Sequence, residues 1–172
     1  MIKLLHLYRK LTHKLHIIFF GRVSLLRKLG GKVGSNCRFI GEISFGSEPY
    51  LIKIGDNVSI TSSHFVNHDG GVWVFRRDFP EIDVIKPINI GDNVFIGSHC
   101  IIMPGVTIGS NVVVGAGSII TKNLDSNGVY AGVPAKYIKS IDDYRLSSLE
   151  NNLKTKGSPS KKSYLINHYK LK

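Results

Sequence analysis

Apolar residues recur along this chain every six positions, rather than at the three-to-four spacing of a helix. The rhythm is clearest in Ile90-Gly-Asp-Asn-Val-Phe, Ile96-Gly-Ser-His-Cys-Ile, Ile102-Met-Pro-Gly-Val-Thr, Ile108-Gly-Ser-Asn-Val-Val and Val114-Gly-Ala-Gly-Ser-Ile. An aliphatic residue opens each unit, Gly usually follows, and the fifth position is small or aliphatic. The same phase returns at Ile54-Gly-Asp-Asn-Val-Ser and Ile60, and at Val33-Gly-Ser-Asn-Cys-Arg and Phe39. With a three-residue slip near Glu48-Pro49-Tyr50, the chain holds about twelve units. Short strands joined by tight turns suit this period, and the second-position Gly is expected to take backbone angles that other residues resist. Three strands close one triangular coil, so the pattern predicts an all-β solenoid, a parallel β-helix of about four coils. Stacking the coils buries columns of Ile and Val that no single coil could bury alone.

The phase also assigns the cysteines. Cys37 and Cys100 both fall in the inward fifth slot and read as small core residues rather than a disulfide framework. By the same count His64 lies in an inward slot.

Three segments escape the repeat. Residues 67–89 interrupt it as an extruded loop, and a loop that long in a compact domain is usually functional. Residues 1–29 read as a basic amphipathic helix, with Leu4, Leu7, Leu11, Leu15 and Ile18 on one face. This helix is expected to cap the open first coil, to lie on a membrane surface, or both. Residues 141–172 read as a basic C-terminal tail, leaving the β-helix domain at 30–140.

Charge sharpens that division. The 172 residues carry a formal net charge of +11. Residues 1–41 hold nine Lys and Arg and no acid, residues 42–150 hold eight basic and twelve acidic residues, and residues 151–172 hold six lysines. Basic ends on a mildly acidic body fit an anionic membrane surface better than nucleic acid, whose binders carry charge on the folded body. No apolar run approaches the roughly 20 residues of a transmembrane helix, and no signal-peptide cleavage pattern appears. The expected location is cytoplasmic, with peripheral contact at the inner face of the membrane open.

The repeat and its surroundings resemble the hexapeptide-repeat acyltransferases, which include galactoside, maltose, serine and bacterial polysaccharide O-acetyltransferases. The resemblance covers about residues 30–140. It rests on Pro87-Ile88-Asn89-Ile90-Gly91-Asp92-Asn93-Val94-Phe95-Ile96-Gly97, on Pro104-Gly105-Val106-Thr107-Ile108-Gly109, on Gly115-Ala116-Gly117-Ser118-Ile119-Ile120-Thr121-Lys122 and on Ala131-Gly132-Val133-Pro134-Ala135-Lys136. It implies a left-handed winding, acetyl-CoA as donor, no metal, and a homotrimer with the active site between subunits. Asn67-His68-Asp69-Gly70-Gly71 looks like the catalytic segment of a polysaccharide-type subgroup, although the His-Pro dipeptide of the galactoside and maltose enzymes is missing.

The chemistry agrees with that reading. A saccharide hydroxyl is almost wholly protonated at neutral pH, and a neutral imidazole is the natural acceptor for its proton. His68 is therefore the expected catalytic base for direct attack on the thioester, oriented by Asp69 or Glu48. The resemblance places Gly97, Ser98, Ala116, Thr121 and Lys122 along the cofactor, with Lys139, or Lys136 nearby, at its phosphates. Asn67, Trp73, Arg76 and Arg77 are candidates for the acceptor; the aromatics of this loop fit a neighbouring subunit equally well. The expected activity is O-acetylation of a saccharide in cell-surface polysaccharide biosynthesis. N-acetylation of a nucleotide-linked amino sugar or an antibiotic is the alternative. A zinc site of His64, His68 and His99, as in γ-type carbonic anhydrases sharing this fold, is the competing reading from another enzyme class.

Overall fold

The computed structural model describes residues 2–171, with the side chains of residues 2–7, 9 and 10 outside the described set. The expectations placed on Leu4 and Leu7 fall there. Helix α1 spans Ile2–Lys28 and is broken at Gly21, whose backbone (φ 78°, ψ 172°) leaves the helical region. Thirteen short strands follow: β1 (Lys32–Val33), β2 (Arg38–Ile40), β3 (Ile52–Ile54), β4 (Ser59–Thr61), β5 (His64–Phe65), β6 (Ile88–Ile90), β7 (Val94–Ile96), β8 (Ile101–Ile102), β9 (Thr107–Ile108), β10 (Val112–Val114), β11 (Ile119–Ile120), β12 (Gly128–Ala131) and β13 (Lys136–Ser140). Helices α2 (Ile141–Glu150) and α3 (Lys161–His168) close the chain, so the segment read as a tail carries two helices.

The strands form three sheets that the chain visits in rotation. The first runs β1-β3-β6-β9, the second β2-β4-β7-β10-β12-β13, and the third β5-β8-β11. All pairings are parallel except the last, β12 with β13. Stacked side chains on successive rounds are 18 residues apart at Asn93 and Asn111. The separation is 21 at Asn36 and Asn57, the extra residues being taken up by the 3-10 turn Pro49–Leu51. Across the extruded loop, Asn57 and Asn93 stack although 36 residues apart.

First-slot and fifth-slot residues fill the interior. Ile60, Ile96 and Val114 stack in register on the second sheet, each 0% exposed. Fully burying a side chain of this size contributes about 1.5–3 kcal/mol, which explains how strands of two or three residues hold together. Cys100 is buried, and burial pushes its thiol up from the usual range. Cys37 is half-buried against the same core.

The repeat's glycines act differently from the expectation. Second-slot Gly55, Gly91 and Gly97 need no left-handed backbone; they are small because the next round approaches so closely. A Cβ on Gly97 would stand 2.6 Å from the Ala116 nitrogen, and one on Gly91 would stand 2.9 Å from the Gly109 carbonyl carbon. The left-handed turn belongs to the fourth slot, at Asn36, Asn57, Asn93 and Asn111 (φ 52–56°). Asn tolerates this region because its short amide bonds locally. Here the amides also bond vertically: each Nδ2 donates to the Oδ1 of the next Asn at 2.8–2.9 Å, from Asn36 up to Asn127.

His64 corrects its assigned slot. The corner before β5 is one residue shorter than the corner before β8, since His99 N–H donates to Ser62 O while His64 pairs with Ile101. Ser63 therefore faces inward at 0% exposure, Phe65 takes the aliphatic slot, and His64 points out to solvent.

The N-terminal helix divides at Gly21. Beyond the break, Leu25 and Leu26 are buried on the first round and Arg27 Nη2 donates to Val33 O at 3.0 Å, so this part caps the core. Before the break the apolar stripe does not cap. Leu11, Leu15 and Ile18 are exposed, while Thr12, His13, His16 and Ile17 take the half-buried side. Among the described residues no helix is long and apolar enough to cross a membrane.

At the other end, Ser140 caps α2 by accepting the Asp143 N–H at 3.0 Å, with Asp142 and Asp143 in the first turn. These carboxylates sit favourably at the positive end of the helix dipole. The helix leans over the outer face of the second sheet and leaves a half-open groove of about 900 Å³ between them.

Candidate active site

The loop that breaks the repeat is closed at its base by backbone pairing. Asp69 N–H donates to Val84 O at 2.8 Å, Lys86 N–H donates to Asn67 O at 2.9 Å, and His68 and Ile85 form an antiparallel bridge. His68 thus sits on a two-stranded stem, which limits its backbone freedom and fixes where the imidazole can reach.

Two carboxylates flank that ring. Glu48 Oε1 lies 3.9 Å from Nδ1 and Asp83 Oδ1 lies 2.7 Å from Nε2. No directed hydrogen bond joins Asp83 to Nε2, so the contact is a close approach of carboxylate and ring. The two acids differ in setting: the Glu48 side chain is 13% exposed and that of Asp83 46%. Glu48 is held by the turn it opens, its carbonyl accepting the Leu51 N–H at 3.0 Å. Asp83 rides on the returning arm of the loop.

Of the two residues expected to orient His68, the structure brings only Glu48 to the ring. Asp69 turns away: its Oδ1 accepts the Gly71 N–H at 2.9 Å and caps the 3-10 helix Gly70–Phe75. Neighbours in an extended segment point to opposite faces, which accounts for the miss. Asp83 was not anticipated. The alternation Glu81-Ile-Asp83-Val-Ile85 was a faint strand signal, but nothing local shows which residue that strand would face.

Asn67 is 1% exposed, so it belongs to the interior rather than to an open acceptor-binding surface. Its amide oxygen packs toward Gly46, where an added Cβ would come within 2.5 Å. Both Asn67 amide atoms, Glu48 Oε2 and His68 Nε2 have no hydrogen-bond partner among the described residues. Buried polar groups are nearly always paired, so Glu48 Oε2 and His68 Nε2 mark bonding capacity held open at this imidazole. Trp73 is exposed at 72% and Arg77 is also exposed, while the Arg76 guanidinium lies 5.8 Å over the Trp73 ring.

The other expected residues gather elsewhere. Gly97, Ser98 and Ala116 form one ledge: Gly97 backs onto Ala116, and Gly117 N–H donates to Ser98 O at 2.8 Å. Ala116 and Gly117 are exposed, leaving main chain open to a ligand. Thr121 and Lys122 are exposed just after β11. Lys136 and Lys139 lie on β13, in register with Ala131 and Val129. The ledge precedes β8 and β11, whereas the loop leaves after β5. His68 and the ledge therefore lie beyond opposite ends of the third sheet's strands. No hydrogen bond or ion pair among the described residues joins them. His64, His68 and His99 likewise do not converge, and no metal-binding group of three is found among the described residues.

A family model described as the hexapeptide repeat of succinyl-transferase matches residues 87–122. The chain is 55% identical over 150 residues to the Staphylococcus aureus protein CapG, covering 84% of this chain and 87% of that one. Among solved structures it is similar to a maltose O-acetyltransferase from Clostridium difficile 630, at 33% identity and a TM-score of 0.58, covering 71% of this chain and 75% of that one. It is also similar to a galactoside acetyltransferase in complex with coenzyme A, at 30% identity and a TM-score of 0.60, covering 81% of this chain and 82% of that one.

Proposed function

This chain belongs to the hexapeptide-repeat acetyltransferases, with acetyl-CoA as its donor, and from that premise we propose that it O-acetylates a saccharide hydroxyl on a cell-surface polysaccharide or its precursor. The observation that carries the reading is the imidazole of His68, held on a paired stem with Glu48 at Nδ1 and with its own Nε2 and Glu48 Oε2 unpaired. Sugar acceptors in the names of two similar structures, galactoside and maltose, support the substrate class.

In this mechanism Nε2 takes the proton of the acceptor hydroxyl as its oxygen attacks the thioester carbonyl, and the thiolate leaves and is protonated as the acetate ester forms. Glu48 holds the ring and offsets the positive charge that develops on it. Asp83 occupies the approach to Nε2 and swings aside when the hydroxyl arrives. Trp73 offers a stacking face to the sugar, and Arg76 and Arg77 meet an anionic group on the acceptor.

The ledge of Gly97, Ser98 and Ala116 suits the pantetheine arm, because small side chains let an extended chain bond the backbone. Thr121 and Lys122 hold it further along, and Lys139 with Lys136 meets the phosphates through charge-assisted bonds. Opposite ends of one prism side come together when a second prism packs against it. The separation of His68 from the ledge thus supports a homotrimer in which each site is shared by two subunits. The left-handed winding of about four coils belongs to the same family reading.

The test is thiol release from acetyl-CoA with a panel of neutral, acidic and amino saccharides. The expected product is an acetate ester, removed by mild alkali. An alkali-stable amide formed only from amino sugars would replace this reading with N-acetylation.

A further inference from the structure

Helix α1 has a face that the fold leaves without a partner. At 100° per residue, Tyr8, Leu11, Leu15, Ile18 and Phe19 fall within one arc of about 100°. All five are exposed, between 46% and 73%. The opposite side is half-buried at Thr12, His13, His16 and Ile17, with Ile17 packed against the core and the His16 ring 3.1 Å from Ser24 Oγ. An amphipathic helix on a globular body ordinarily turns its apolar stripe inward. This one turns it outward, and the break at Gly21 separates that orientation from the inward-facing Leu25 and Leu26.

Charge says what covers the stripe. Residues 1–41 carry nine Lys and Arg and no acid, and by the same angular count Lys14, itself exposed, borders the apolar arc. A second copy docked stripe to stripe would bring two all-cationic helices together with nothing to offset them. An anionic surface is complementary in both respects, since it accepts apolar side chains at the headgroup boundary and attracts the cations beside them. We propose that the outward face of α1 before Gly21 docks this protein onto an anionic lipid surface, lying in the interface rather than crossing it.

This proposal does not depend on the acceptor, so its test runs without turnover. The full-length protein is sedimented with vesicles of phosphatidylcholine alone or of equal parts phosphatidylcholine and phosphatidylglycerol. The wild type is expected to pellet with the anionic vesicles, to be released as salt rises, and to stay in solution with the neutral ones. Combining Leu15→Ser, Ile18→Ser and Phe19→Ser is expected to lower binding about tenfold. Lys10→Glu with Lys14→Glu is expected to do the same by removing attraction. Both variants should keep the wild-type melting temperature, because every altered described side chain is exposed. A wild type that ignores anionic vesicles overturns the proposal. So does undiminished binding by the triple variant, or a triple variant whose only change is a smaller oligomer by light scattering, which would assign the stripe to a second copy.

Discussion

His68→Ala is expected to cut kcat about a thousandfold while leaving the KM for acetyl-CoA within about twofold. The loss is large because the acceptor hydroxyl is a weak acid, and the one other group at that point, the Asp83 carboxylate 2.7 Å from Nε2, is of a type far less basic than an imidazole. Glu48 approaches Nδ1, the far side of the ring, and is mostly buried. Asp69 is committed to Gly71. Donor binding should survive because Gly97, Ser98 and Ala116 form a ledge that His68 does not touch. The fold should survive too, since His68 lies outside the hydrophobic core and its bridge to Ile85 is made by backbone. Steady-state kinetics on the folded variant provide the check, and near-normal turnover would remove His68 from the chemistry.

Ile96→Ala is expected to lower stability by about 3 kcal/mol, from the range of 2–5 found for such truncations. Ile96 is 0% exposed and lies in register between Ile60 and Val114 on the second sheet. Deleting its outer carbons opens a void that its neighbours cannot close, because the backbone of each round rests on the next with only glycine between. For a chain of this length the drop in melting temperature should be about 6–12 °C. Scanning calorimetry reads it directly. A change under about 1 kcal/mol would mean that the stacked columns do not carry the fold.

The repeat was legible because its spacing follows from geometry. Three short strands and three turns must return an aliphatic side chain to the interior at fixed intervals, and Ile54, Ile60, Ile90, Ile96, Ile102 and Ile108 are all buried where the phase puts them. His64 was misassigned because a phase count assumes corners of equal length, and the corner at Ser62 and Ser63 is one residue short. The asparagines stood in the fourth slot in plain sight. Their ladder was not legible, since it joins residues 16 to 36 positions apart through contacts that exist only once the rounds are stacked. The stripe on α1 was equally visible, yet periodicity gives the direction of an apolar face relative to its own helix, not relative to the body.

The site was legible in its parts and not in its assembly. His68 stood out as a histidine opening a long interruption, and Glu48 as an acid at the slip between rounds. That these two meet depends on how the slip and the loop fold against each other. Asp83 joins them only because residues 67–69 pair with 84–86. Adjacency favoured Asp69, whose carboxylate the fold spends on a helix cap.

Direct attack assisted by His68 requires the donor's sulfur to lie beside that imidazole in the assembled protein. A crystal structure with coenzyme A bound is expected to show the thiol along the ledge of Gly97, Ser98 and Ala116, within about 5 Å of a neighbouring subunit's imidazole at position 68, close enough for a bridging hydroxyl. A thiol on that ledge with no such imidazole near it in any subunit, or coenzyme A bound elsewhere altogether, would contradict it.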